Sequence, residues 1–75
     1  MPKLPVLSGR ELIRILVKQG WEQSRIHGSH AILIRVQNGK KTAVVVPLHR
    51  EIDRGTLLEI LRQAGLTREQ LLGVL

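Results

Sequence analysis

The sequence lacks cysteine altogether and contains no long hydrophobic run. With no cysteine among its 75 residues, disulfide bonds, thiol nucleophiles and thiolate zinc sites are excluded, and the composition suits a reducing compartment. The longest uncharged apolar run, Thr42–Leu48, is far shorter than the roughly 20 residues that a membrane-spanning helix needs. No apolar signal-peptide segment precedes Arg10. We therefore expect a cytoplasmic protein.

Acidic residues are scarce relative to basic ones. Twelve Lys and Arg against six Asp and Glu give a formal net charge of +6. The excess lies in the first half, because residues 1–41 hold eight basic and two acidic side chains and residues 42–75 hold four of each. This balance favours a polyanionic partner such as nucleic acid, although a solvated basic surface would also explain a modest excess.

Length and hydrophobic periodicity predict the fold. We expect a single domain over residues 1–75, since a chain of this length supports one hydrophobic core, with an extended arm at residues 1–7, where Pro2 and Pro5 disfavour helix. The predicted elements are a helix over 9–19, strands over 21–27, 30–37 and 42–46, a helix over 56–64 and a short C-terminal helix. Because hairpin-linked strands are antiparallel, the sequence predicts a two-layer α-β-β-β-α fold of the α+β class, with a three-stranded sheet and the helices on one face.

Local sequence patterns predict the ends of the first helix and the burial of individual residues. Ser8 followed by Glu11 matches a capping box at a helix start, and Gly20 is expected to cap the end of that helix. The residues expected to be buried along it are Leu12, Ile13, Leu16 and Val17. The unbroken apolar run at residues 43–46 predicts a strand that is buried on both faces or central in the sheet.

The histidines are the candidates for chemistry. His27 and His30 have the spacing of two metal ligands only if both rings face the same way, and no adjacent carboxylate completes a site. We therefore expect no metal ion and no other cofactor. His30 opens a strand directly after the Gly28-Ser29 turn, where an imidazole, which titrates at about pH 6.5, could act in acid–base catalysis. A histidine that only holds the turn by a hydrogen bond is the simpler alternative.

Several segments, taken together, resemble the HicA (YcfA-like) toxin family. They are Gly20-Trp21, Arg25, Gly28-Ser29-His30, Val46-Pro47, His49, Glu51-Ile52, Gly55-Thr56-Leu57 and residues 60–65. They keep the family's order and spacing from Ser8 to Leu66. The resemblance implies a double-stranded-RNA-binding-like fold, a metal-independent endoribonuclease that cleaves mRNA as the toxin of a type II toxin–antitoxin system, and neutralisation by a HicB-like antitoxin. A non-catalytic RNA-binding or adaptor domain of the same fold is the alternative.

The resemblance implies one catalytic residue, and the chemistry of the residues around it gives further candidates. It makes His30 the catalytic histidine, as general base for the RNA 2′-hydroxyl or as general acid for the departing 5′ oxygen. The candidates for holding RNA phosphates are Arg25, Gly28, Ser29, Arg35, Lys40 and Lys41. His49 is an auxiliary acid–base candidate if the fold brings it near. The sequence departs from the family at Ala31, where many members carry a histidine or an aromatic residue.

Two further features of the sequence indicate whether the RNA target is single-stranded or duplex. Trp21 is the only aromatic residue, which argues against modules that stack bases on several aromatic rings, and we expect it in the core. A reader of duplex RNA would place lysines at the start of its second helix, but residues 53–56 read Asp-Arg-Gly-Thr. The expected target is therefore mRNA that is single-stranded or locally unpaired, held mainly through its phosphates.

Overall fold

Residues 3–75 form three antiparallel strands and three helices. The structure, a computed structural model, describes residues 3–75, and Met1 and Pro2 of the predicted arm lie outside the described residues. The elements are α1 (Gly9–Lys18), β1 (Glu22–His27), β2 (His30–Gln37), β3 (Lys40–Pro47), α2 (Arg54–Ala64) and α3 (Arg68–Gly73). The strands pair in the order β1-β2-β3. The predicted α+β class and element order are confirmed, while the likeness to double-stranded-RNA-binding domains stays a prediction.

The predicted capping box starts α1. The Glu11 amide donates to the Ser8 hydroxyl (3.1 Å), and the Ser8 amide donates to the Glu11 carboxylate (2.9 Å). These bonds with Ser8 lower the pKa of the Glu11 carboxyl, because they stabilise its ionised form. At the other end, α1 stops at Lys18 with Gln19 as its cap. The helix thus ends one residue before the predicted Gln19. The prediction that Gly20 closes it is confirmed, because Gly20 has φ 98° and its amide donates to the Val17 carbonyl, while the Trp21 amide donates to the Leu16 carbonyl.

Asp53 starts α2. Its carboxylate accepts hydrogen bonds from the Thr56 hydroxyl (2.7 Å) and the Thr56 amide (3.0 Å), and these bonds lower the pKa of the Asp53 carboxyl. Because Asp53 is the cap, α2 begins at Arg54, two residues before the predicted start. The helix ends as predicted, with Gly65 in the left-handed region at φ 69°.

One face of the sheet packs against the helices. On this packed face Ala31 lies opposite Val46 and Leu33 lies opposite Val44, and all four side chains are buried. The other buried core residues are Leu7, Leu12, Ile15, Leu16, Trp21, Ile52, Leu57, Ile60, Leu61, Ala64, Leu66 and Leu71. Burial of this apolar surface is the main force that holds the two layers together. Within residues 3–75, no helix is both long and apolar enough to cross a membrane.

Two burial predictions are wrong. On α1, Ile15 is buried in place of Val17, whose side chain is 49% exposed, and Ile13 is only partly buried. β3 lies at an edge of the sheet rather than in its centre, and Val45 is 47% exposed. The helices cover only one face of the sheet, so every second residue of β3 meets solvent however apolar it is.

Both hairpins close with two-residue turns. Asn38 and Gly39 have φ values of 53° and 76°, the positive pair that a type I′ turn requires. Pairing resumes at once, so β3 begins at Lys40 rather than at the predicted Thr42. In the first hairpin Gly28 has φ 62°, and a glycine at the first turn position is typical of a type II′ turn.

Candidate active site

The face of the sheet that the helices leave uncovered carries His30 at one end. Side chains alternate between the two faces of a strand, so the buried Ala31 and Leu33 place His30, Ile32 and Ile34 on the uncovered side. Cross-strand partners share a face. The open face therefore consists of Glu22, Arg25 and His27 from β1, His30, Ile32, Ile34 and Val36 from β2, and Lys41, Ala43, Val45 and Pro47 from β3.

The first hairpin turn presents two imidazoles side by side. His27 and His30 are cross-strand partners, and both are exposed, so their Cβ atoms lie about 5 Å apart. Gly28 adopts a left-handed φ that other residues rarely take. Apart from its neighbours in the chain, no atom of residues 3–75 lies within 4 Å of where its Cβ would stand. The two rings thus share a face, yet no three His, Asp or Glu side chains in residues 3–75 are grouped to hold a metal ion.

The turn is fastened to the segment that follows β3. The Leu48 amide donates a 2.7 Å hydrogen bond to the Ser29 carbonyl, and His30 pairs with Pro47 at the end of β3. The Gly9 amide donates to the His49 carbonyl (2.9 Å), which joins the start of α1 to the same segment. His49 therefore lies at the same end of the sheet as His30, and its side chain is exposed.

Gly9 supports this arrangement and was not among the predicted site residues. A Cβ on Gly9 would overlap the carbonyl oxygen of Pro47 and stand 3.0 Å from the Cα of Leu48. Glycine is needed here because two backbones approach each other, and its φ is not positive. The sequence contained one indication of this close approach. A glycine follows the capping Ser8 directly, at a helix position where most residues are tolerated.

Arg25 is the basic candidate closest to His30. It pairs with Ile32, which places it diagonally from His30 on the open face, at about 7 Å between Cβ atoms and within reach of a long side chain. Its side chain is exposed. One phosphate could therefore contact the Arg25 guanidinium and the His30 imidazole together.

The profile of one protein family, described as the HicA toxin of bacterial toxin-antitoxin systems, matches residues 9–66. The chain belongs to the HicA toxin family. The resemblance in the sequence is thereby confirmed. Comparisons with curated proteins and with solved structures gave no significant match. HicA membership indicates the toxin of a toxin–antitoxin system, for which a cognate antitoxin is implied, and HicA toxins are generally ribonucleases.

In this HicA-family chain Arg35 lies on the packed face, away from His30. Its guanidinium stands 4.6 Å from the centre of the Trp21 ring and donates a 3.3 Å hydrogen bond to the Ala64 carbonyl. These contacts join the sheet to the end of α2, where carbonyl groups favour a cation. Trp21 is buried as predicted. Arg35 thus lies between the sheet and the helices, and it is not close to the other residues predicted to bind phosphate.

Lys40 and Lys41 lie at the opposite end of the HicA sheet. Lys40 pairs with Gln37 and Lys41 with Val36. At about 3.3 Å per residue, Lys40 is about 23 Å and Lys41 about 20 Å from His30 along β2. Lys41 shares the open face, and Lys40 does not. A phosphate at His30 contacts neither lysine, but an RNA strand that runs along the open face would reach Lys41.

Ala31, the position named in the sequence analysis as a departure from the family pattern, does not face the histidines. Its side chain is fully buried on the packed face, opposite Val46 on β3 and Ile26 on β1. A larger residue there would have to fit among the core side chains. The identity of residue 31 therefore affects the packing beneath the sheet and not the open face around His30.

Proposed function

We propose that this protein is a cytoplasmic type II toxin that cleaves mRNA as a metal-independent endoribonuclease. One observation carries the proposal: His30 stands exposed at the end of a paired strand, beside a glycine turn with open space above it and with Arg25 on the same face. The ribonuclease activity that is general among HicA toxins supports the choice of substrate.

RNA supplies its own nucleophile for this reaction. The 2′ oxygen attacks the adjacent phosphorus as a base takes its proton, the bond from phosphorus to the 5′ oxygen breaks, and that oxygen takes up a proton. The products are a 2′,3′-cyclic phosphate and a 5′-hydroxyl. His30 would carry one of the two proton transfers, which is typically worth roughly 10²–10⁴-fold in rate.

The turn and Arg25 would hold the reacting phosphate. Guanidinium groups bind phosphate oxygens in a bidentate manner, and a cation beside the phosphorus stabilises the charge that develops on its oxygens. Because no side chain stands at Gly28, an RNA backbone can approach the turn closely. The Ser29 hydroxyl would donate a further hydrogen bond to the phosphate.

We propose that the target is single-stranded or locally unpaired mRNA. The start of α2, where a duplex reader would need cations, instead places the ionised Asp53 carboxylate in its cap. The hydrogen bonds from Thr56 keep the pKa of that carboxyl low, so it would repel a phosphate at neutral pH. Lys41 would contact an RNA strand that continues along the open face.

A HicB-like antitoxin would neutralise the toxin. Among residues 3–75, the open face joins His30 to exposed Val36 and Val45, so one protein bound there would exclude RNA. The net charge of +6 favours an acidic partner, which would associate fast and competitively with RNA. Co-expression with the product of the neighbouring gene, followed by gel filtration and cleavage assays, tests this. A complex that cleaves RNA as fast as the free protein would contradict it.

Product chemistry tests the proposed function. Purified protein is incubated in excess EDTA with an RNA oligonucleotide and with matched strands that are all deoxy or carry one 2′-deoxy residue at the cleavage site. We expect cleavage of the RNA alone, with a 5′-hydroxyl on the downstream fragment. A need for added divalent metal, or equal cleavage of the deoxy strands, would refute attack by the 2′-hydroxyl. If RNA binds and is never cut, the protein is the non-catalytic RNA-binding or adaptor domain.

A further inference from the structure

The proposed reaction needs two proton transfers, and His30 supplies one imidazole. A proton must leave the 2′ oxygen, and a proton must reach the 5′ oxygen as it departs. A single imidazole positioned for the first transfer is not also positioned for the second. A second titratable group within reach of the same phosphate would therefore complete the site.

His49 was predicted for this task, and the structure places it less favourably than His27. The pKa of the Asp53 carboxyl is lowered by the Thr56 hydrogen bonds and, to a smaller degree, by the charge of His49. His49 therefore lies within electrostatic range of the start of α2. Its backbone belongs to the loop after β3, held to Gly9, and it is not a strand partner of His30.

His27 is the strand partner of His30. Both stand on the open face, both are exposed, and the two-residue turn between them fixes their spacing. In the part of the chain that the structure describes, neither imidazole is tied by a hydrogen bond or an ion pair. The charged group beside them on that face is Arg25, two residues before His27 on β1. One phosphate held by Arg25 would contact both rings.

We propose that His27 is the second acid–base residue and that His27 and His30 divide the two proton transfers between them. This inference rests on the proposed ribonuclease function. The neutral imidazole takes the 2′-hydroxyl proton as the new O–P bond forms, and the protonated imidazole gives its proton to the 5′ oxygen as the old P–O bond breaks. The pair ends with its charge exchanged, and proton exchange with water restores the starting state.

An RNA whose scissile 5′ oxygen is replaced by sulfur separates the two roles. A thiolate leaves without a proton, so cleavage of this substrate needs the base and not the acid. The variants are His27→Gln and His30→Gln, which keep a polar side chain but cannot transfer protons. Gln23→Ala, an exposed position on β1, is the matched control. Thermal melts of all variants check the fold.

On the all-oxygen RNA, each histidine variant is expected to be slower than wild type by roughly 10²–10⁴-fold. On the sulfur substrate, one of the two variants should recover to within about tenfold of wild type and the other should not. Full activity of His27→Gln on both substrates, or recovery on the sulfur substrate by neither or by both of the histidine variants, would overturn the inference while the ribonuclease function stands. Failure of the wild type to cleave either substrate would overturn both.

Discussion

The Leu48 amide donates a 2.7 Å hydrogen bond to the Ser29 carbonyl and so fixes the first hairpin turn to the segment after β3. Ser29 lies between the two histidines of the turn, and Leu48 precedes His49. The bond thereby couples the position of the candidate active site to the end of β3. Since Gly9 also bonds to this segment, the start of α1 contributes to the placement of His30.

Gly9→Ala should destabilise the protein by about 1–3 kcal/mol, the usual cost of forcing extra atoms into a packed site. The added methyl group would overlap the Pro47 carbonyl and displace the segment that anchors the turn. Urea unfolding measures the change. Gly73→Ala is the control, because its Cβ would meet no atom within 4 Å. Equal stability of both variants would show that the close approach at Gly9 does not constrain the fold.

Replacing Arg25 by alanine is expected to affect RNA binding, whereas replacing Arg35 by alanine is expected to affect stability. Arg25→Ala should weaken RNA binding and reduce the slope of log affinity against log salt by about one, the value for one lost phosphate contact. Arg35→Ala should leave that slope unchanged and lower stability by about 1 kcal/mol, since it loses the Trp21 and Ala64 contacts.

Binding isotherms across a salt series and thermal melts test both arginines on the same samples. Both residues are arginines and both lie in the same sheet, but Arg25 is on the open face and Arg35 is on the packed face. A salt slope that falls equally in both variants would mean that the basic surface extends over both faces and that the open face has no special role.

The contrast between these arginines shows what the sequence could and could not predict. The start of α1 and the second hairpin turn were predictable because they depend on neighbours in the chain, Ser8 with Glu11 and Asn38 with Gly39. The bounds of β2 were predicted correctly for the same reason. Which face of a strand the helices cover depends on packing between distant segments, so the burial of β3 and the place of Arg35 were not predictable from local pattern.

An irregularity in the pairing of β1 also made the faces of the sheet hard to predict from the sequence. The pairing register shifts between Gln23 and Arg25, so Gln23 pairs with the buried Leu33 while Arg25 pairs with Ile32 on the open face. Simple alternation would place these two residues on the same face. A bulge of this kind gives no clear sequence signal, and the joint placement of Arg25, His27 and His30 became visible only in the structure.

Lowering the pH should reduce the stability of the protein, because the Asp53 carboxylate that caps α2 becomes protonated. Its folded pKa lies below the ordinary 3.8 because Thr56 bonds to the ionised form, so its contribution is complete above 3.8 and is lost as pH falls through the folded value. Asp53→Asn keeps a good cap that does not titrate. Stability from urea unfolding, measured from pH 6 down to about pH 2.5, a range that begins well above the ordinary carboxyl pKa and ends below it, should fall less steeply in the variant. An unchanged slope would contradict this role.

The central claim, that His30 performs chemistry and does not hold the fold, is tested most directly by single-turnover cleavage with His30→Ala. The assay uses one RNA oligonucleotide in excess EDTA, with Gln37→Ala, an exposed residue at the other end of β2, as the control. We predict that the control cleaves like wild type, while His30→Ala loses at least about 100-fold in rate and keeps the wild-type melting temperature. Cleavage at the wild-type rate by folded His30→Ala would contradict the account.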